Sequence, residues 1–321
     1  MKKIAISSGD PAGIGPDICL MSHGKNKGYR PVIFGDIEVL KERSKMLGLN
    51  IDLQKYSGED VINLTDQCLW VSHKELGCEF EIGKLNPKAS HYTISLFKQA
   101  VELTSSGDFD ALVTCPINKE AINLAGIRFK GHTEEIAKLT DTKRVVMMLS
   151  NSRINVALAT THCPLSEVPK LLTKQLIKDS IHIIYNDMTQ KWGFKSPQIK
   201  VLGLNPHAGE GGFIGKEEEE IIKPAINEIR DEGIRVIGPS SADTAFIQNK
   251  NEKIDAYFAM FHDQGLPVIK SIDFGHIVNV TLGLPITRTS VDHGTAYDIA
   301  GKGYANEGSL LAACKLAEKI S

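Results

Sequence analysis

At 321 residues, with 42% hydrophobic and 24% charged residues, the chain exceeds a typical single domain and has the ordinary composition of a soluble globular protein. A formal net charge of −2 gives no general attraction to nucleic acid or to an anionic membrane, so neither is expected as a partner. The six cysteines (Cys19, Cys68, Cys78, Cys115, Cys163, Cys314) lie far apart with no C-x-x-C pair, which argues against a disulfide framework and a cysteine zinc knuckle.

The N-terminus turns polar after a few apolar residues, too early for a signal peptide, and no apolar run is long enough to span a bilayer, so a cytoplasmic protein is expected. Strand-like runs are predicted at Lys3–Ser7, Pro31–Phe34, Ala111–Thr114, Val145–Leu149, Asn155–Thr160, Ile199–Leu204, Arg235–Ile237, Ala256–Phe261 and Ile277–Thr281. Helical patterns lie between them, such as Ser90–Ser106 and Ser166–Met188. Apolar strands separated by helices predict α/β architecture with a largely parallel sheet, which binds ligands beyond the carboxyl ends of its strands. The acidic run Glu217–Glu220 reads as the solvated first turn of a helix that Pro224 interrupts.

The loop Gly9–Asp17 follows a strand and opens a helix but matches neither G-x-G-x-x-G nor a P-loop, so no Rossmann or P-loop site is predicted; its glycines serve a ligand cleft or only the turn. Gly131-His132-Thr133-Glu134 opens a helical pattern. Its free N–H groups suit a phosphate or carboxylate, and a plain N-cap at Thr133 explains the residues equally well. Three apolar runs end in a histidine followed by turn residues: His162 before Cys163-Pro164, His207 before Ala208-Gly209, and His262 before Asp263-Gln264-Gly265. A parallel sheet gathers its strand ends on one edge, where three imidazoles would hold Zn²⁺ or a similar ion and leave positions open for substrate. Cys163 reads as a small turn residue rather than a fourth ligand. H-E-x-x-H is absent, which argues against a zinc protease. Lys270, Asn279 and Arg288 punctuate an apolar stretch, where cations suit a phosphate. From Arg288 to Asn306 small residues alternate with Asp292, His293 and Asp298, a loop fit for a nucleotide or for a partner chain.

The loop His293–Asn306 resembles the adenosine-side loop of isopropylmalate and isocitrate dehydrogenases. Together with Gly9–Pro16, Gly131–Glu134, Thr161–Leu165, Leu204–Glu210, Phe261–Pro267 and Thr281–Pro285, it makes nearly the whole chain closely similar to the 4-hydroxythreonine-4-phosphate dehydrogenase family of pyridoxine biosynthesis. The resemblance implies two α/β/α domains of the isocitrate/isopropylmalate dehydrogenase-like, non-Rossmann kind. The expected division is a cofactor-side domain of residues 1–125 plus 268–321, and a second domain of 126–267 carrying much of the metal and substrate site. It further implies a homodimer whose active site is completed across the interface, with metal on His162, His207 and His262, the last from the neighbouring subunit. Implied substrate contacts are His132, Thr133, Lys270, Asn279 and Arg288. The cofactor is NAD or NADP, assigned to Asp292, His293, Gly294 and Asp298, and the metal is Zn²⁺, Co²⁺ or Mg²⁺. The implied reaction oxidises 4-phosphooxy-L-threonine to a 3-oxo acid that decarboxylates to 3-amino-2-oxopropyl phosphate. Asp263, Asp243 and Lys270 are the candidates for moving the proton.

Overall fold

The computed structural model describes residues 1–25, 28–58, 67–247, 252–273 and 275–321. In chain order it forms β1 (Lys2–Ser7), α1 (Gly15–Met21), β2 (Tyr29–Gly35), α2 (Ile37–Met46), β3 (Leu53–Lys55), β4 (Leu69–His73), α3 (Ser90–Ser105), β5 (Ala111–Thr114), α4 (Lys119–Leu124) and α5 (His132–Leu139). There follow β6 (Val146–Ser150), β7 (Asn155–Leu158), α6 (Val168–Leu171), α7 (Lys174–Gln190), β8 (Ile199–Leu202), α8 (Lys223–Asp231), β9 (Val236–Ser240), α9 (Ala242–Ala245), β10 (Ala256–Ala259), α10 (His262–Ile272) and β11 (Val278–Leu282). The chain closes with β12 (Thr287–Val291) and α11 (Gly308–Ile320).

Two compact units result, Met1–Lys143 with Leu284–Ser321, and Arg144–Gly283. Both crossings fall later in the chain than the expected divisions after residues 125 and 267. The reason is packing: Phe129 joins Ile94 and Ile122 in a core cluster of the first unit, while β11 pairs antiparallel with β6 in the second. In the first unit the strands lie in the order β3-β4-β2-β1-β5-β12, each parallel to its neighbours. In the second the order is β11-β6-β7-β10-β8-β9, with β7, β10, β8 and β9 parallel and the β11-β6 and β6-β7 pairs antiparallel.

Strands β5 and β10 are buried at every position, the mark of a sheet covered on both faces. Strand β12 is fully buried too, although its sequence Thr-Arg-Thr-Ser-Val reads as polar. Both threonine hydroxyls are satisfied internally: Thr289 Oγ1 donates to the Ala313 carbonyl at 3.0 Å and Thr287 Oγ1 to that of Ile320 at 3.3 Å. The predicted helix Ser166–Met188 is two helices. Pro169 occupies the first turn of α6, Leu172 and Thr173 are extended, and the Thr173 hydroxyl caps α7 by accepting from the Leu176 N–H at 3.0 Å. The acidic run is also not simply solvated. Glu218 is fully buried in a π-turn (Glu218–Ile222), and Pro224 sits in the first turn of the α-helix that follows.

Candidate active site

The second unit gathers the three histidine loops on one edge. β10 lies between β7 and β8, parallel to both, so the chain leaves all three strands in the same direction. The β7 and β10 loops run together past the sheet. The N–H groups of Ala159 and Thr160 donate to the carbonyls of Ala259 and Met260 at 2.8 and 3.2 Å, and Thr160 Oγ1 donates to Met260 O at 2.8 Å. His162 and His262 consequently stand with ring centroids 5.8 Å apart. Beside them opens a cleft of about 400 Å³ lined by Cys163, Leu165, Phe261 and Asp263 as well as the two histidines.

Gln264 ties the third loop to this pair: its side chain accepts from the Met260 N–H at 2.7 Å and donates to the Gly203 carbonyl at 2.6 Å. After Gly203 the chain turns left-handed, with φ of 52° at His207, 52° at Ala208, 77° at Gly209, 45° at Glu210 and 67° at Gly211. Each non-glycine residue held there costs about 1–2 kcal/mol, so other contacts must hold the turn. His207 lies near Asp243, whose carboxyl is held below the ordinary carboxylate range, first by the Ser241 hydroxyl and further by the charge on His207. Among the described residues no three His, Cys, Asp or Glu side chains of one chain form a group ready for a metal. The structure thus brings His162 and His262 together and leaves His207 on the adjoining loop.

His262 Nδ1 is hydrogen-bonded to Asp263 Oδ1 at 2.6 Å. This pairing fixes the ring and leaves Nε2 as the atom available to a metal, the usual support of a metal-binding imidazole. The donor set therefore fits a divalent ion of the zinc or cobalt type better than magnesium, which prefers oxygen ligands. Lys270 lies in the last turn of α10, and Asn279, on β11, has a buried Oδ1 without a hydrogen-bond partner.

The first unit holds a smaller cleft of about 150 Å³, lined by Thr114, Lys119, His132, Ser290, His293 and Gly294 among others. Gly131, not Thr133, occupies the N-cap of α5, and no side chain caps the helix. His132 packs on the rings of Phe97 and Phe129, with centroids 4.7 and 6.2 Å away. Its Nε2 is shut off from solvent and has no hydrogen-bond partner. Burial pushes its pKa well down, and the nearby charges of Arg288 and Lys119 push the same way. Arg288, 3% exposed, donates to Thr114 Oγ1 at 2.7 Å; burial lowers its pKa to about 10, so it stays cationic at neutral pH.

The loop carrying Asp292, His293, Gly294 and Asp298 is fastened to the glycine-rich N-terminal loop. Tyr297 Oη donates to Asp10 Oδ2 at 2.6 Å, the Gly301 N–H to Asp17 Oδ2 at 2.7 Å, and the Ile14 N–H to the Thr295 carbonyl at 2.9 Å. A Cβ on Gly13 would lie 2.8 Å from the Thr295 carbonyl oxygen, so only glycine permits this approach. Buried Arg43 completes the join by pairing with Asp17 and donating to the carbonyls of Gly13 and Pro11. Asp10, Asp17, Arg43 and Tyr297 were not singled out from the sequence.

Imidazoles and carboxylates at parallel strand ends, and a second cleft built around a buried cation, are the equipment of an α/β enzyme. Comparison with known proteins gives the family. Residues 27–317 match the family described as pyridoxal phosphate biosynthetic protein PdxA, and the chain belongs to that family. A curated relative from Chromobacterium violaceum, called 4-hydroxythreonine-4-phosphate dehydrogenase, is 46% identical over 99% of this chain and 96% of its own. Another of that name, from Aromatoleum aromaticum, is 46% identical over 98% and 95%. The crystal structure of 4-hydroxythreonine-4-phosphate dehydrogenase from Klebsiella pneumoniae superposes with a TM-score of 0.92 at 34% identity, covering 100% of this chain and 99% of that one.

Proposed function

We propose that the protein oxidises the C3 hydroxyl of 4-phosphooxy-L-threonine with NAD⁺ or NADP⁺, giving a 3-oxo acid that loses CO₂ to form 3-amino-2-oxopropyl phosphate. The observation that carries this reading is the 46% identity, over essentially the full length of both chains, to a relative named for that substrate. His162, His207 and His262 would hold a divalent ion, Zn²⁺ or Co²⁺ in preference to Mg²⁺. No single-chain trio forms among the described residues, and we assign His262 of each site to a second copy in a homodimer, with His162 and His207 from the first. When bound, the metal would lower the pKa of the hydroxyl and polarise the ketone, and the nicotinamide would accept the hydride.

The chain's own residues supply position and charge. Arg288, held by Thr114, and the uncapped N–H groups of α5 around Thr133 suit the substrate's phosphate. His132, kept neutral, offers Nε2 as a hydrogen-bond partner without adding charge. Lys270 and Asn279 complete the substrate contacts. Asp292, His293, Gly294 and Asp298 form the cofactor loop, whose shape is fixed by the Asp10–Tyr297 and Asp17–Gly301 bonds. For proton removal, Asp263 supports His262, and Asp243 is ionised but a weaker base for its lowered pKa; Lys270 is the third candidate. Replacing the true base lowers turnover steeply with metal content intact, and normal turnover in all three variants rejects the assignment.

The function is tested by following NAD(P)H formation from 4-phosphooxy-L-threonine, using chelator-treated protein and the same protein resupplied with Zn²⁺, Co²⁺ or Mg²⁺. Metal-dependent turnover is expected. No turnover with this substrate, alongside turnover of a phosphorylated threonate or erythronate, would keep the chemistry and reject the substrate.

A further inference from the structure

Glu218 is a carboxylate with no exposure to solvent, an expensive placement unless its oxygens are satisfied. Both are, and by one residue: Oε1 accepts from the Asn205 N–H at 2.7 Å and Oε2 from Asn205 Nδ2 at 3.0 Å. Asn205 stands two residues before His207, where the left-handed run begins. Inside that run Gly209 passes so close that a Cβ there would lie 2.5 Å from Glu218 Oε2. The same loop is gripped from its other side by Gln264, two residues after His262, through the Gly203 carbonyl. A backbone conformation that L-residues resist persists only where its surroundings over-determine it. Here Glu218 and Gln264 are those surroundings, together with Glu217, whose Oε2 also accepts from Asn205 Nδ2, at 2.7 Å.

We propose that Glu218 is the positioning residue for His207: by gripping Asn205 it holds the left-handed turn in the one conformation that presents His207 to a metal on this sheet edge. The inference rests on the metal-site reading above. It extends that reading to a buried acid, 13 residues along the chain from Asn205 and hydrogen-bonded directly to it, that would touch neither metal nor substrate.

The experiment titrates metal-free protein with Co²⁺, reading affinity and the visible ligand-field bands, and records melting of the metal-free form. The variants are Glu218→Gln, Asn205→Ala and, as control, Glu219→Gln, whose exposed side chain pairs with Lys223. Glu218→Gln is expected to bind Co²⁺ about 10–100-fold more weakly, as loss of outer supporting contacts generally does, with altered bands and a cooperative metal-free melt. Asn205→Ala should move in the same direction and Glu219→Gln should match the parent. Parent-like affinity and bands in Glu218→Gln overturn the proposal; if that variant does not fold, Asn205→Ala decides by the same two outcomes. Absence of Co²⁺ binding by the parent protein overturns the metal reading and this inference together, whereas parent binding with unchanged variants overturns this inference alone.

Discussion

His162 and His262 stand 5.8 Å apart, centroid to centroid, because the strands that lead into them are hydrogen-bonded neighbours in register from Val156–Tyr257 onward. Replacing either with asparagine should remove a primary metal ligand. Metal content measured after dialysis should then fall below one ion per site, and Co²⁺ affinity should drop by more than the roughly 10–100-fold typical of outer contacts. Full retention of metal in both variants would show that these imidazoles are not ligands.

Arg288 is buried and bonded to Thr114. Arg288→Lys keeps the charge but loses the planar fork, so the substrate phosphate is held less well. The expected change is a KM raised about 10-fold or more, from loss of one charge-assisted hydrogen bond of roughly 1.5–3 kcal/mol, with kcat altered less. Steady-state kinetics at varied substrate decide it; an unchanged KM places the phosphate elsewhere.

The lowered pKa of His132 gives stability a definite pH dependence. The unfolded chain takes up a proton near its ordinary pKa of about 6.5, while the folded chain resists until lower pH. Stability from this residue is therefore present above about pH 6.5 and lost as pH falls below it. Thermal melts from about pH 8 to pH 5 should decline less steeply for His132→Leu than for the parent protein. Parallel declines would mean that His132 titrates alike in both states.

Arg43 and Asp17 form an ion pair with side chains 1% and 0% exposed. Arg43→Met strands Asp17 as a buried charge and frees the Gly13 and Pro11 carbonyls, a loss of about 3–5 kcal/mol. Denaturant unfolding should register it as a lower midpoint. Nicotinamide affinity should weaken as well, since Asp17 also anchors the Gly301 N–H of the loop proposed to bind the cofactor.

Much of this architecture was legible in one dimension. Ala111–Thr114 reads as a buried strand because each of its side chains suits a covered parallel sheet, and it is one. β12 was not legible, because Arg288, Thr287 and Thr289 fit a buried strand only after Thr114, Ile320 and Ala313 accept their hydrogen bonds. The break at Leu172–Thr173 was missed since helical periodicity continues across it, and the local Thr173 cap decides the matter. Glu218 was likewise lost in a run of four glutamates, three of them only partly buried or exposed.

The sequence alone determined that histidines 162, 207 and 262 lie at the ends of apolar strands, since local hydrophobic runs and the turn residues after them require it. Which strands adjoin was decided only by the tertiary structure: β10, last of the three in the chain, inserts between β7 and β8. That order depends on how the connecting helices cross over to cover both faces of the sheet, a long-range balance of burial and hydrogen bonding that no single segment encodes.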